Sequence, residues 1–359
     1  MLYFTIKYIA GFEVNMSHYK LALLGFGNVG KAFAELLLRK QDELLARYDL
    51  TFSVTAIATG SHGSVIDLNG IDLKKALTML DAGGSLNELS ASPSPSDRRE
   101  FIAATGADVL FEITPVSYED GQPALDHIRT ALENGMHAVT ANKGPVVHGY
   151  RELKQLAAQK GRKFYFESAV MDGAPVFAIF RETLPAAQVR AFKGILNSTT
   201  NLILTRMESG ESFADAVAYA QSVGIAETDP SGDVDGWDAA IKVAALVTVM
   251  MDTPLKPDEV DRTGIRDLTP EQMADARAEG KRWKLVCSAK KEKGQVSARV
   301  APELVDPETP FYTVEGTTSI LEVQTDVLGD LSIIETDPGP HTTAYGLLAD
   351  FLNAVINLH

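Results

Sequence analysis

The chain has 359 residues, 45% hydrophobic and 23% charged, the make-up of a globular protein with room for two or three domains. Its formal charge of −15 argues against nucleic acid or an anionic membrane surface as a partner, because both select basic patches. Cys287 is the only cysteine, which excludes an intrachain disulfide, disfavours a thiolate metal site and suits a reducing cytoplasm.

The opening "MLYFTIKYIAGFEVNM" has a lysine in its middle, no charged start and no small-residue cleavage site. It is also shorter than a membrane span, so neither a signal peptide nor an anchor is expected. Met16 begins a more ordinary start, and residues 1–15 read as an N-terminal extension outside the fold.

"YKLALLGFGNVGKAFAELLLRK" reads as a buried strand, a glycine turn and an amphipathic helix. In that setting Gly25, Gly27 and Gly30 make a G-x-G-x-x-G dinucleotide fingerprint. The first glycine permits the tight turn, the second lets the backbone approach a pyrophosphate, and the third allows close helix–strand packing. Asn28 and Val29 lie at the helix start, where amides meet negative phosphates. The second strand, "LTFSVTAIATG", runs out into Thr59, Ser61 and His62. No acid stands there to hold a ribose diol, and no Lys or Arg follows directly to clamp a 2′-phosphate. The missing acid tilts the expectation towards NADP, with NAD also accepted.

"LKKALTMLDAGG" predicts a helix, and "ASPSPSDRRE" a surface loop that opens another. "ADVLFEITPV" is a strand ending in a Thr-Pro turn, whose Thr114 is counted among the cofactor-binding residues. "GQPALDHIRTALENGMHAVTANKGP" gives a helix, a glycine stop and a short strand running into Asn142-Lys143-Gly144. Lys143 is thereby expected at a strand end, the sheet edge where ligands bind in such folds. "YRELKQLAAQKGRKFYFESAV" repeats the helix–glycine–strand pattern. This alternation predicts an α/β class: a doubly wound, Rossmann-like, mostly parallel sheet over residues 16–165.

Beyond Pro175 the texture changes to that of an α+β domain, expected over residues 166–334 for substrate binding and dimerisation. "QVRAFKGILNSTTNLILTRMESG" reads as strand, polar loop and helix. "RWKLVCSAKK", "QVSARVAPELV" and "TSILEVQTD" read as antiparallel strands. The closing stretch, residues 335–359, contains a helix that returns to the nucleotide domain. Between these, "GWDAAIKVAALVTVMM" is apolar on every helical face except for Asp238 and Lys242, one turn apart. An i,i+4 acid–base pair is ordinarily a solvated-edge feature worth about 0.3–0.5 kcal/mol, but no polar stripe exists here to hold one. "GIAETDPSGDVDGWDAAIK" also sets Glu227, Asp229, Asp233, Asp235 and Asp238 in front of Lys242.

Taken together, these blocks resemble the homoserine dehydrogenase family. The matching stretches are the glycine turn, Ala141-Asn142-Lys143, Glu167 to Pro175, Asn197 to Asn201, Ala226 to Lys242 and "PGPHTTAYGLLAD". The resemblance implies NAD(P)H-dependent reduction of L-aspartate 4-semialdehyde to L-homoserine, and the reverse, within threonine and methionine biosynthesis. It implies two active-site lysines, with Lys242 as proton donor and Lys143 holding or polarising the substrate. It further implies Glu227 and Asp238 as the acids that bind the substrate ammonium and orient the lysine, with Asp233 beside them and Thr199 on a substrate loop. Glu167, Val170, Asp172 and Ala174 occupy positions where the family often binds a monovalent cation, Na⁺ or K⁺, largely through carbonyls. A cytoplasmic homodimer is expected. The sequence departs from the pattern at Met171, Asp172, Ser198 and Ile225. Those departures leave open a related reductase of another amino-aldehyde or keto acid, and a dead dinucleotide sensor is the other alternative.

The chemistry suits these residue types. Hydride transfer to an aldehyde builds negative charge on oxygen, which a placed ammonium stabilises and protonates. Two lysines near one carbonyl are expected to depress each other's pKa.

Overall fold

A computed structural model describes residues 16–90 and 94–356, so the expected extension at 1–15 lies outside the described residues. The first half alternates strand and helix. β1 (Ser17–Leu24) leads through the glycine turn to α1 (Asn28–Tyr48), followed by β2 (Leu50–Ala58), β3 (Ser64–Ile66), α2 (Leu73–Asp81) and α3 (Arg98–Ala104). β4 (Val109–Glu112), α4 (Ala124–Glu133), β5 (His137–Thr140), α5 (Lys143–Lys160) and β6 (Phe164–Tyr165) complete it. The sheet order is β3-β2-β1-β4-β5-β6, parallel throughout except for the β2–β3 pair. The winding direction therefore reverses between β1 and β4, which opens a crevice beyond their C-terminal ends. The expected doubly wound sheet is borne out.

Apolar runs explain this layer. Leu21, Leu23, Val109 and Phe111 on the strands meet Phe33 and Leu37 of α1, all fully buried. Phe111 also meets Phe351 edge-on at 6.0 Å, so α12 (Pro340–Val355) closes back over α1 and the first sheet.

The second half contains α6 (Val176–Ala178), β7 (Val189–Ile195), α7 (Ser198–Glu208), α8 (Phe213–Ser222), α9 (Ser231–Val234) and α10 (Trp237–Met250). β8 (Asp261–Arg262), α11 (Pro270–Ala278), β9 (Arg282–Glu292), β10 (Gln295–Val305), β11 (Ser319–Thr325) and β12 (Asp330–Glu335) follow. The sheet order is β12-β11-β7-β9-β10-β8, antiparallel but for β8 beside β10. One face carries α7, α10 and α11 over a core that includes Leu285, Cys287 and Val323. The opposite face exposes a shallow depression lined by Lys193, Lys290, Arg299, Glu322 and Gln324.

The helix α10 links the two halves. Ala239, Ile241, Val243, Ala244 and Leu246 are all fully buried, in one core with Val146 and Leu153 of α5. A helix that is apolar all round can pack on both sides, and this one lies between the second sheet and α5. That packing brings the start of α5 beside the start of α10.

Candidate active site

Three loops open where β1, β4 and β5 end. At the first, Gly25 has φ +98°, and a Cβ there would stand 2.3 Å from the Ile113 carbonyl oxygen. A Cβ on Gly30 would meet the Gly25 carbonyl oxygen at 2.5 Å, so both positions are closed to a side chain by the fold itself. A Cβ on Gly27 would meet nothing within 4 Å, so the bareness of this position serves space outside the fold. Gly27 caps α1 without any side-chain hydrogen bond, which leaves the first amides, at Asn28, Val29 and Gly30, turned towards that space. The turn fits a dinucleotide pyrophosphate.

At the second and third loops a polar network locks strand ends together. Thr140 Oγ1 donates to the Glu112 carbonyl at 2.9 Å and to Glu112 Oε2 at 3.1 Å. The Thr114 amide donates to Glu112 Oε1 at 3.1 Å, and the Thr114 hydroxyl also donates to it. Asn142 Nδ2 reaches the carbonyls of Thr114 and Pro115 at 2.9 and 3.1 Å, while its Oδ1 caps α5 through the Gly144 amide at 2.9 Å. Asn142 thus stops β5 and starts α5, and Lys143 is the first residue of that helix rather than the last of the strand. Glu112, fully buried, was not singled out from the sequence, since Thr140, which ties it to the neighbouring strand, lies 28 residues on.

From Lys143 the site crosses to α10. Lys143 Nζ lies 3.3 Å from Asp238 Oδ1, and Lys242 Nζ lies 2.9 Å from Asp238 Oδ2. The Lys143, Lys242 and Asp238 side chains are 18%, 15% and 14% exposed, so the charges are largely withdrawn from water yet open on one side. Lys242 also donates to the Leu196 carbonyl at 2.7 Å. Asn197, the N-cap of α7, donates to Asp233 Oδ1 at 2.6 Å and to Asp238 Oδ2 at 3.0 Å. It accepts in turn from the Thr200 amide at 2.8 Å, so the polar loop and the acids are one unit. Thr199 Oγ1 donates to the Ile225 carbonyl at 3.3 Å.

Burial pushes Asp238 upwards, but the neighbouring ammoniums of Lys242 and Lys143 outweigh it and hold the carboxyl well below the usual carboxylate range. Burial opposes charge on Lys242 too, and Asp238 reverses the balance, holding this amine above its ordinary value. The expectation that the lysines depress each other therefore fails at Lys242: a shared carboxylate stands between them, and attraction to it exceeds their repulsion. Asp233 goes the other way, raised by burial and then by the charge of Asp238. It is an acid short of a counter-charge.

Lys143, Lys242, Asp238, Asp233 and Thr199 thus gather around Asn197. Glu227 lies exposed on the loop before α9, with its charge, like those of Asp233 and Asp238, acting on the Tyr118 hydroxyl. On the far side of Lys242 a cavity of about 190 Å³ is lined by Val170, Asp172, Ser198, Ile225, Glu335 and Gly339, among others. Of the residues expected to hold a cation, Val170 and Asp172 line this cavity, and Glu167 and Ala174 are not among its lining. Both Glu167 oxygens accept amides at the start of α6, from Phe177 at 2.5 Å and Ala178 at 2.6 Å. The Ala174 carbonyl accepts the Val176 amide at 2.8 Å, and Asp172, at φ +38°, accepts from Thr342 Oγ1 at 3.1 Å. Tyr118, in the loop after β4, was not singled out from the sequence, where "VSYEDG" carries no motif. Its hydroxyl overlies the acid loop, 3.5 Å from where a Cβ on Gly232 would sit.

The family model described as "Homoserine dehydrogenase, NAD binding domain" matches residues 25–167, and that described as "Homoserine dehydrogenase" matches residues 175–352. The chain belongs to the homoserine dehydrogenase family. It is 34% identical to an NAD(+)-dependent homoserine dehydrogenase of Pseudomonas canavaninivorans, covering 94% of this chain and 96% of that one. It is 35% identical to a homoserine dehydrogenase of Methanocaldococcus jannaschii, covering 93% and 97%. Among solved structures, a homoserine dehydrogenase from Thiobacillus denitrificans superposes with a TM-score of 0.79 at 29% identity, covering 94% of this chain and 73% of the other. Family membership accounts for a nucleotide-binding half and a second half lying in one chain. No helix among the described residues is long and apolar enough to cross a membrane.

Proposed function

We propose that this homoserine dehydrogenase family member interconverts L-aspartate 4-semialdehyde and L-homoserine with NAD(P)H or NAD(P)⁺, a step towards threonine and methionine. The observation that carries the reading is the convergence of two amines from different halves of the chain, Lys143 and Lys242, on one carboxylate at 3.3 and 2.9 Å.

The nicotinamide, when bound, supplies or accepts the hydride. This chain's residues do the rest. Lys242, kept charged by Asp238, stabilises the developing alkoxide and hands its proton to that oxygen. Lys143 polarises the same carbonyl from the nucleotide side. Asp238 fixes both amines and is itself fixed by Asn197. Asp233 and Glu227 receive the substrate's ammonium, which adds to the pull of Lys242 on Asp233 that burial and Asp238 outweigh. Thr199 shapes the substrate end of the pocket. Gly25, Gly27, Asn28, Val29, Gly30, Thr114 and Lys143 would hold the dinucleotide.

NADP is taken at least as well as NAD in this reading. Residues 59–63 after β2 include no acid to repel a 2′-phosphate. Thr59, Ser61 and His62 form a tight polar turn there, with the His62 amide 2.7 Å from Thr59 Oγ1 and Ser61 Oγ 2.8 Å from His62 Nδ1. Glu167, Val170, Asp172 and Ala174 would hold a Na⁺ or K⁺ largely through backbone carbonyls, since the Glu167 carboxylate already accepts two amides of α6, and no step is routed through the ion. Residues 16–165 and 335–359 form the nucleotide unit of the proposal and 166–334 the substrate unit. The open face of the second sheet pairs with a second copy, in the cytoplasm. The assay is purified protein with L-homoserine and NADP⁺ or NAD⁺, and with the semialdehyde and the reduced cofactors. Turnover in both directions supports the reading; none with either cofactor favours a dead sensor, and turnover of a different amino-aldehyde alone favours the related reductase.

A further inference from the structure

The acid-rich end of the pocket suits an ammonium and opposes a carboxylate. Glu227, Asp233 and Asp238 all stand there, and an amino-acid substrate must bring its α-carboxylate within a few ångströms of its α-ammonium. Some hydrogen-bond donor has to face that group. The loop after β4 offers one. Pro115 is tied to Asn142 Nδ2 at 3.1 Å, the Tyr118 carbonyl lies 3.2 Å from His148 Nε2 on α5, and Asp120 Oδ1 accepts from Ser117 Oγ at 2.7 Å and from the Gln122 amide at 2.9 Å. The loop is therefore braced on both sides of Tyr118. The ring packs against the core that contains α5 and α10, and the hydroxyl projects over Gly232, next to Asp233. Among the described residues that hydroxyl has no acceptor in the chain. Burial first, and then the charges of Asp238, Asp233 and Glu227, push the phenol upwards, so it stays protonated across the working range and can only gain by donating.

We propose that Tyr118 is a substrate-positioning residue whose hydroxyl donates to the α-carboxylate of the bound amino acid, so that the nucleotide half of the chain reads the substrate together with the acids of the other half. The inference rests on the homoserine reading above. It assigns to one phenol the selection of α-amino acids over simple amino alcohols.

The experiment compares wild type with Tyr118→Phe, which keeps the packed ring and removes only the donor. L-homoserine oxidation by the wild type is measured first, and its absence would count against the homoserine reading rather than against Tyr118. With turnover present, KM for homoserine is expected to rise roughly tenfold or more in the variant, the loss of one hydrogen bond to a charged group, with kcat changed little. Nucleotide affinity and thermal stability should match wild type. 3-Amino-1-propanol keeps the ammonium and hydroxyl but lacks the carboxylate, and it should behave alike towards both proteins. An unchanged homoserine KM overturns the proposal, as does an equal loss for the carboxylate-free amino alcohol.

Discussion

Asp238→Asn perturbs the centre of the site with the least change of shape. The carboxylate holds two ammoniums, at 2.9 and 3.3 Å. At an effective dielectric constant of about 20, each contact is worth ~5 kcal/mol of gross attraction. Much of that is offset by desolvation, and breaking a buried pair at one partner typically costs about 3–5 kcal/mol. The variant should therefore lose stability on that scale, and the loss should be visible in urea unfolding. Its chemical effect is more specific. Lys242 is held above its ordinary pKa by Asp238 against the pull of burial. With the carboxylate gone, burial is left in charge and the amine titrates lower. Reduction needs the charged amine, so its rate should be flat through neutral pH in wild type and fall at a lower pH in the variant. Oxidation needs the neutral amine, so its rate should still be climbing at high pH in wild type and level off earlier in the variant. The assay is kcat against pH in both directions, with the nucleotide Kd as control. We expect a fall in kcat of about a hundredfold at neutral pH, typical of removing one transition-state-stabilising contact. Turnover within threefold of wild type with an unmoved pH profile would refute the reasoning.

The glycine turn separates fold from ligand. Gly25→Ala forces a Cβ to 2.3 Å from a backbone oxygen at φ +98°, so it should unfold or severely destabilise the protein. Gly27→Ala meets nothing within 4 Å, so its melting temperature should stay at the wild-type value while nucleotide Kd, measured by fluorescence titration, rises about tenfold or more. A Gly27→Ala protein that binds normally would contradict the placement of the pyrophosphate. Lys284 offers a pH test away from the site. It is fully buried, donates only to Asn201 Oδ1 and the Val314 carbonyl, and is pushed down to about 8 by burial. Between about 8 and 10.5 the unfolded chain binds more protons at this position than the folded one, so this residue makes stability rise with pH across that window. Lys284→Met should flatten the rise, seen in urea unfolding at several pH values. An unchanged slope would mean that Lys284 is not charged at a cost.

The sequence carried the fold well because its signals are local. Period-2 and period-3.6 patterns and the spaced glycines report on single elements, and the doubly wound sheet follows from their alternation. Lys242 and Asp238 were legible for a similar reason: two charges stand out on a helix that is otherwise oily. What stayed hidden depends on contacts between distant segments. Glu112 matters because Thr140 of the neighbouring strand bonds it, and Tyr118 because a loop from the first sheet overlies Gly232 of the second half. The pKa of Lys242 went against expectation for the same reason. The Asp238–Lys242 pair could be read from the sequence, but that the same carboxylate also holds Lys143 could be found only from the folded chain. The role of the Glu167 carboxylate was hidden in the same way, because the amides that it accepts lie ten and eleven residues on, at the start of α6.

A kinetic cycle over Lys143→Ala, Lys242→Ala and the double variant addresses most directly whether the two amines serve one reacting carbon. Nucleotide Kd is followed alongside kcat for homoserine oxidation. Each single change should lower kcat by about a hundredfold or more, and the double should cost little beyond the worse single, as for groups acting as a unit. Near-normal turnover in either single variant, or losses that simply multiply, would contradict it.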